Sequence, residues 1–352
     1  MNKVDLKLDG VFSGSNISIT VCVPVYNVQD YLRDCLDSLF QQDYSFFDVL
    51  MIDDGSTDDS GSICDEYVAK YPERSLVVHK NNEGPLLARR EGFSRATGEY
   101  VMCVDSDDML FPGALSVVAY AVAHTGADIV HFGHTRNIDE IRPISVADGN
   151  NDLLLSSKKK VDQLSLICRS TDGSQNPMCF KAIRRECVDA NRDYSSFVGL
   201  TFCEDFLQTL AAYDLAKTFC ELNKKIYFYR PGSGITKAYS PHFYFDVCRC
   251  LNEGERFASQ WEQEYSCKGL MSGLASCRLD SAACYAEWLV SVGDKKGLKT
   301  LRDSLDLNRC FESADYSLLR IDRRMVLFAL RHHITILISL ISVIRDLKKS
   351  LV

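Results

Sequence analysis

The chain has no basic excess: its 352 residues hold 40 Lys and Arg against 48 Asp and Glu, for a formal net charge of -8 and a pI near 5.5. Non-specific nucleic-acid binding draws its free energy from counterion release by a cationic surface. This composition therefore excludes a general nucleic-acid binder and confines any polyanion site to a local cluster. No Cys-x-x-Cys pair occurs among the 15 cysteines, which are scattered singly and odd in number, with Cys248 and Cys250 the closest approach. That pattern reads as reduced thiols and lacks the short ligand spacing of the usual zinc site. Residues 1–15 are polar and contain glycine, without the apolar core that a signal peptide requires, so the expected location is the cytoplasm. The apolar run Ile334-Thr-Ile-Leu-Ile-Ser-Leu-Ile-Ser-Val-Ile344 is too short to span a bilayer, and Arg331, His332 and His333 block its extension.

What is present is a globular composition, 46% hydrophobic and 25% charged, enough for one large domain or two modest ones. Residues 17–25 are β-branched and apolar and close at Pro24-Val-Tyr-Asn27, the pattern of a buried parallel strand. Val28, Leu32, Cys35, Leu36, Leu39 and Phe40 then recur at helical spacing. The alternation repeats with strands over 47–52, 76–79, 99–104 and 127–132 and helices over 60–71, 86–96 and 112–125. Strands alternating with helices in units of this length predict an α/β fold with right-handed crossovers and a mostly parallel sheet flanked by helices.

Ligands of such sheets bind beyond the carboxyl ends of the strands. Four polar motifs fall there: Pro24 to Asn27, Asp53-Asp-Gly-Ser-Thr-Asp58, Asn81 to Gly84, and Asp105-Ser-Asp-Asp108. Asp105 and Asp107 are two apart, so in extended backbone they share a side and converge on a hard cation, such as the Mg²⁺ or Mn²⁺ of a nucleoside diphosphate. Taken singly, each motif has a plainer reading. The acidic cluster caps the following helix, Asp-Gly-Ser-Thr-Asp makes a turn and N-cap, and Asn-Glu-Gly is a surface loop.

In order, Val23-Pro-Val-Tyr-Asn27, Ile52-Asp-Asp-Gly-Ser-Thr-Asp58, Asn82-x-Gly84 with Ala88-Arg89, Gly98-Glu-Tyr-Val-Met-Cys-Val-Asp-Ser-Asp-Asp108 and Cys203-Glu-Asp205 resemble the inverting family 2 glycosyltransferases, which have the GT-A fold. The resemblance spans about residues 17–235. It implies that Pro24, Tyr26 and Asn27 enclose the nucleobase and that Asp54 accepts a hydrogen bond from the uracil ring nitrogen, a proton that cytosine lacks. Gly84 and Arg89 would lie against the nucleotide. Asp105 would face the ribose with Ser106 beside it, Asp107 would bind Mn²⁺ or Mg²⁺ on the diphosphate, and Asp108 would orient the loop. Many relatives carry asparagine after the Ala-Arg pair where this chain has Arg90. That arginine is read as a solvated helix position, with a phosphate or acidic acceptor as the alternative.

By the same resemblance Asp205 is the base that takes the acceptor hydroxyl's proton, supported by Glu204. The plainer reading is two acids well placed at a helix N-terminus. Tyr227-Phe-Tyr-Arg230-Pro-Gly-Ser-Gly-Ile-Thr236 is similar to the segment that closes over the diphosphate, with Arg230 and Ser233 as phosphate contacts. His242 is a candidate metal ligand or a packing histidine. The implied activity is transfer of a hexosyl or N-acetylhexosaminyl group from a UDP-sugar to a hydroxyl of a glycan or lipid-linked glycan, as in cell-surface polysaccharide synthesis. Nucleotidyl transfer leaves Glu204 and Asp205 without a task. A non-catalytic sugar-nucleotide binder has no chemical reason to keep Asp107 and Asp205.

The expected organisation is a polar extension over 1–15, a GT-A domain over 16–240 with a nucleotide-sugar half (16–135) and an acceptor half (161–240), and a helical region over 241–352. Between the halves, residues 137–160 lose their periodicity and end in Ser-Ser-Lys-Lys-Lys. At the C-terminal end, residues 320–349 carry seven Lys or Arg against Asp322 and Asp346, the pattern of a helix lying on an anionic membrane or docked on protein.

Overall fold

The computed structural model describes residues 16–144, 155–170, 176–188, 192–232 and 242–350, with backbone only over 346–350. The expected extension over 1–15 and part of the 137–160 segment lie outside the described residues. Contacts divide the chain into two units. The first comprises 1–160, 177–200 and 211–237, and the second 161–176, 201–210 and 238–352.

The first unit is built on one sheet. β1 (Ile19–Val25), β2 (Phe47–Asp53), β3 (Ser75–His79) and β4 (Tyr100–Cys103) run parallel in the order β3-β2-β1-β4. Six of the seven residues of β1 are buried, as expected of a central parallel strand covered on both faces. The helices between these strands are α1 (Gln29–Phe40), α2 (Ser60–Lys70) and α3 (Pro85–Arg95). Leu32, Cys35, Leu36, Leu39 and Phe40 of α1 are buried at the spacing seen in the sequence. In α3 the proline stands in the first turn, where its missing N–H costs nothing.

Beyond β4 the sheet is mixed. The short β5 (Met109–Leu110) precedes α4 (Ala114–Thr125) and β6 (Ile129–Thr135), and β7 (Leu155–Lys158), β8 (Lys181–Arg184) and β9 (Phe219–Phe228) follow. β8 runs antiparallel between β4 and β6, β9 is parallel to β6, and β5 and β7 pair antiparallel with β9. The parallel order read from the sequence therefore holds through β4, and antiparallel strands from later in the chain complete the sheet. β8 is only four residues long, and its burial against both neighbours could not be read from so short an apolar stretch.

The second unit is helical: α5 (Lys160–Arg169), the first turns of α6 (Glu204–Leu215), α7 (Phe243–Glu264), α8 (Leu270–Ser291), α9 (Lys295–Arg302), α10 (Leu305–Ser313), α11 (Ile321–Arg331) and α12 (Thr335–Ser350). Its core joins Leu279, Ala283 and Leu289 of α8 to Phe311, Leu327, Leu330 and Ile341. The expected boundary at residue 240 differs from this division, because residues 161–176 and 201–210 group with the C-terminal helices. The cause is close packing. A Cβ added at Gly273 of α8 would come within 2.6 Å of the Cys168 carbonyl, Arg169 pairs with Asp315 at 2.8 Å, and a Cβ at Gly254 would stand 2.8 Å from the Phe206 ring. Among the described residues no helix is long and apolar enough to cross a membrane.

Candidate active site

The loops after β1 and β2 are stitched together by short polar side chains. Asn27 takes a left-handed backbone (φ 48°), which asparagine tolerates better than most residues. Its Oδ1 accepts from Thr57 N at 2.7 Å, and its own N–H donates to Ser56 Oγ at 3.1 Å. Val28 N donates to Ser60 Oγ at 2.9 Å, and Gln29 and Asp58–Asp59 exchange backbone-to-side-chain bonds at 3.1 and 2.9 Å. Pro24 and Tyr26 stand at this edge, with the Tyr26 ring half exposed.

The two aspartates ending β2 have separate duties. Asp53 accepts from Ser56 N at 2.9 Å and pairs with His79 Nδ1 at 2.7 Å. Burial would raise its pKa, but these bonds hold it below the usual carboxylate range. The Asp53 hydrogen bond in turn raises His79. Asp54 is buried and accepts from Lys80 Nζ at 2.9 Å, Glu83 N at 3.0 Å and Gly84 N at 2.8 Å. It thereby fixes the loop from Lys80 to Gly84. Gly84 has φ 91°, and its nearest neighbour on the side-chain side is the Leu200 carbonyl at 3.9 Å, so the dihedral rather than crowding demands glycine. The crowded position is Gly55, where a Cβ would approach Asn82 N to 2.9 Å.

The acidic turn after β4 is held from three directions. Buried Arg89 on α3 reaches Asp105 Oδ1 at 3.3 Å. Tyr227 of β9 donates its hydroxyl proton to Asp108 Oδ2 at 2.7 Å, and its oxygen accepts from Asp105 N at 3.2 Å. Arg230 donates from its backbone to Asp108 Oδ1 at 2.8 Å and from Nε to the Asp107 carbonyl at 2.8 Å. The Arg230 guanidinium also meets Asp34 at 3.1 Å and lies over the Tyr31 ring at 4.9 Å. Asp108 is almost fully buried. That burial, with Asp105 and Asp107 beside it, pushes its pKa up to about 8. Ser106 is nearly buried and Asp107 is half-buried at the turn's rim.

Ligand atoms of Asp105, Asp108 and Cys179 lie within 4.8 Å of one another. The expected metal ligands were Asp107 and His242. His242 belongs to the second unit, where it is exposed at the residue before α7. Ser233 lies outside the described residues. The donor set suits a hard divalent cation: carboxylate oxygens predominate, and burial, with the charges of Asp105 and Asp107 added to it, raises Asp108. The Cys179 thiol is a soft donor that Mg²⁺ or Mn²⁺ does not need.

Glu204 and Asp205 form the first turn of α6, after Cys203 with φ 67°. One Asp205 carboxylate oxygen is buried. Arg90 departs from the expected solvated position. Its Nε is buried, and its charge, after the hydrogen bonds from Ser195, helps hold Asp193 below the usual range.

Sequence reasoning passed over Lys80, His79, Tyr31 and Cys179. Tyr227 lies in the segment likened above to the one closing over the diphosphate, and its hydroxyl joins Asp105 to Asp108. The apolar end of β9, where Ile226, Tyr227 and Phe228 are buried in succession, is the available signal.

A family model described as "Glycosyl transferase family 2" matches residues 20–188. The glycosyltransferase GlyG of Streptococcus pneumoniae is 38% identical over 133 residues, 38% of this chain and 42% of that protein. An uncharacterized glycosyltransferase of Haemophilus influenzae is 27% identical over 242 residues, 62% of this chain and 91% of that one. The chain thus spans less than half the length of GlyG, and 16% of GlyA from the same organism. Among solved structures, S. aureus TarS 1–349 in complex with UDP-GlcNAc superposes with a TM-score of 0.54 at 20% identity, covering 90% of this chain and 92% of that one. At that identity the likeness is one of fold, and it is the GT-A fold that the order of strands and motifs implied.

Proposed function

From a chain whose residues 20–188 form a family 2 glycosyltransferase domain, we propose transfer, with inversion, of a hexosyl or N-acetylhexosaminyl group from a UDP-sugar to a hydroxyl of a glycan or lipid-linked glycan, as in surface polysaccharide synthesis. The observation that carries this reading is the acidic turn at 105–108. It is clamped by Arg89, Tyr227 and Arg230 at the same strand-end edge as the loop that Asp54 locks. TarS, solved with UDP-GlcNAc and with UDP, supports a uridine donor on this fold.

Pro24, Tyr26 and Asn27 would wall the base. Asp54, which already accepts from Lys80 Nζ and from the backbone N–H groups of Glu83 and Gly84, would also accept from the uracil N–H. Asp105 and Ser106 would face the ribose, with Gly84 and Arg89 bordering the nucleotide. Asp107 would hold Mn²⁺ or Mg²⁺. A cation bound there supplies positive charge to the departing diphosphate. Arg230, joined by Ser233, would add a cationic group at that end of the nucleotide.

Asp205 would take the proton from the acceptor hydroxyl as its oxygen attacks the anomeric carbon opposite the nucleotide, and Glu204 would contact the acceptor. Donor binding followed by thermal shift with Mn²⁺, alongside a transfer assay, tests these roles. Asp205→Asn should keep the UDP-sugar shift and lose transfer. Normal turnover by that variant would assign the base elsewhere.

A further inference from the structure

Helices α11 and α12 are apolar on two faces. Val326, Leu327 and Leu330 of α11 and Ile338 and Ile341 of α12 are buried in the core of the second unit. Ile321, Met325 and Phe328 on α11 and Ile336, Leu340 and Val343 on α12 point the other way and are between 45% and 76% exposed. Positions 321, 325 and 328 form one stripe, as do 336, 340 and 343, following the three-to-four spacing of a helix face. The two helices pack on each other and on α8. A helix needs one apolar face to dock on its own protein, and a second, continuous one marks a surface built for another partner.

The charge of this segment distinguishes between partners. Of the side chains from 320 to 345, five are arginines and Asp322 is the only carboxylate. Arg323 and Arg345 are spent internally, each 2.7 Å from Glu287, and Arg320 holds Asp322 at 3.1 Å. Arg324 and Arg331 remain exposed, seven residues apart and so on one flank of the α11 stripe. Neither has a carboxylate partner among the described residues. Arg324 Nε donates to the Leu319 carbonyl at 2.9 Å, and Arg331 lies over the Phe311 ring at 5.2 Å. A two-fold contact between copies of this chain would pair the same patch with itself and bring these uncompensated arginines into one small interface. An anionic lipid surface accommodates the apolar stripes and the arginines together. α12, at 16 residues, is about 24 Å long and too short to cross a ~30 Å hydrocarbon core.

We propose that the outer faces of α11 and α12 are a docking surface for an anionic membrane, with the two stripes lying in the interface and Arg324 and Arg331 at the headgroups. This surface does not depend on the donor chemistry proposed above, and its test needs no nucleotide. The full chain is sedimented with vesicles of phosphatidylcholine containing phosphatidylglycerol and with vesicles of phosphatidylcholine alone. Partition onto the anionic vesicles is expected. It should fall at least about tenfold in the Phe328→Asp, Ile336→Asp double variant and about fivefold for each of Arg324→Gln and Arg331→Gln. All four positions are exposed, and an unchanged circular dichroism melt confirms that each variant folds. Three results would overturn the proposal: no binding to anionic vesicles, binding indifferent to these substitutions, or a concentration-dependent dimer that Phe328→Asp dissociates, which would give the face to a second copy.

Discussion

Glu287 in the helical unit and Asp108 in the sheet unit are both buried carboxylates, at 8% and 1% exposure, yet their neighbours carry opposite charge. Glu287 receives two guanidinium groups, Arg323 at 2.7 Å and Arg345 at 2.7 Å, and the network extends to Asp280 through Arg323 at 3.4 Å. Asp108 receives a tyrosine hydroxyl and a backbone N–H, while the charges of Asp105 and Asp107 add to its burial in raising its pKa. The fold neutralises the first with its own cations and supplies no such cation to the second, whose proton is held instead by burial and by the charges of Asp105 and Asp107. A buried acid with its cations built in is a structural element. One whose burial and like-charged neighbours together raise its pKa is a candidate for function.

That contrast can be broken most forcefully at Asp107. Asp107→Ala should abolish Mn²⁺-dependent stabilisation by a UDP-sugar and lower transfer by about a hundredfold or more, while leaving the metal-free melting temperature close to that of the parent. A full Mn²⁺-dependent shift in this variant would remove the acidic turn from the donor site. Glu287→Ala should do the reverse. It takes from the half-buried Arg323 and Arg345 the carboxylate they share and leaves them facing each other with only Asp280 and Asp322 at 3.4 and 3.8 Å, which costs about 3 kcal/mol in urea unfolding, and donor binding by the folded fraction should persist. A loss below 1 kcal/mol would show that this cluster behaves as a surface ion pair.

Tyr227→Phe sharpens the comparison from within. It removes the hydroxyl shared by Asp105 and Asp108 and should cost about 1–3 kcal/mol of stability. It should also weaken the Mn²⁺-dependent donor shift, since the turn loses the bond that orients Asp108.

The smallest effect concerns His79, whose pKa the Asp53 hydrogen bond raises above its ordinary value. A proton held more tightly in the folded state than in the unfolded chain stabilises the fold fully below about pH 6.5, and that stabilisation disappears as pH rises through the higher folded value. Because the His79 side chain is 46% exposed, solvent screening keeps the contribution below about 1 kcal/mol. The parent should therefore exceed His79→Gln in melting temperature more at pH 6 than at pH 9. An equal difference at both would remove the charge from this contact.

The first four strands, their helices and the placing of the acidic turn at a strand end were legible in the sequence, because buried parallel strands and amphipathic helices carry strong periodic signals of their own. The antiparallel insertion of β8 was not. Four residues give too short a period, and the strand's place between β4 and β6 depends on partners far along the chain. The motif strings place Asp54 and Asp105 just past the ends of β2 and β4, where the structure has them, but do not disclose their partners. Lys80 and Gly84 hold Asp54 across about 30 residues of chain, and Tyr227 reaches Asp108 across 119. Arg90 shows the same limit in reverse. It sits within a helix that looks solvated from its own sequence, and its Nε is buried beside a residue a hundred positions away.

The basic C-terminal segment divides along the same line. Its excess of arginine and its apolar run are properties of composition, fully visible at 320–349. Which arginines remain outward depended on where Glu287 stood in α8, and two of the five described were drawn inward to it. The sequence by itself determined the α/β pattern, the order of the strand-end motifs and the presence of surplus negative charge after β4, since these follow from local periodicity and residue type. Tertiary structure alone decided which carboxylates are compensated by the protein's own cations and which are not, because compensation depends on distances of a few ångströms between groups that the chain brings together only when folded.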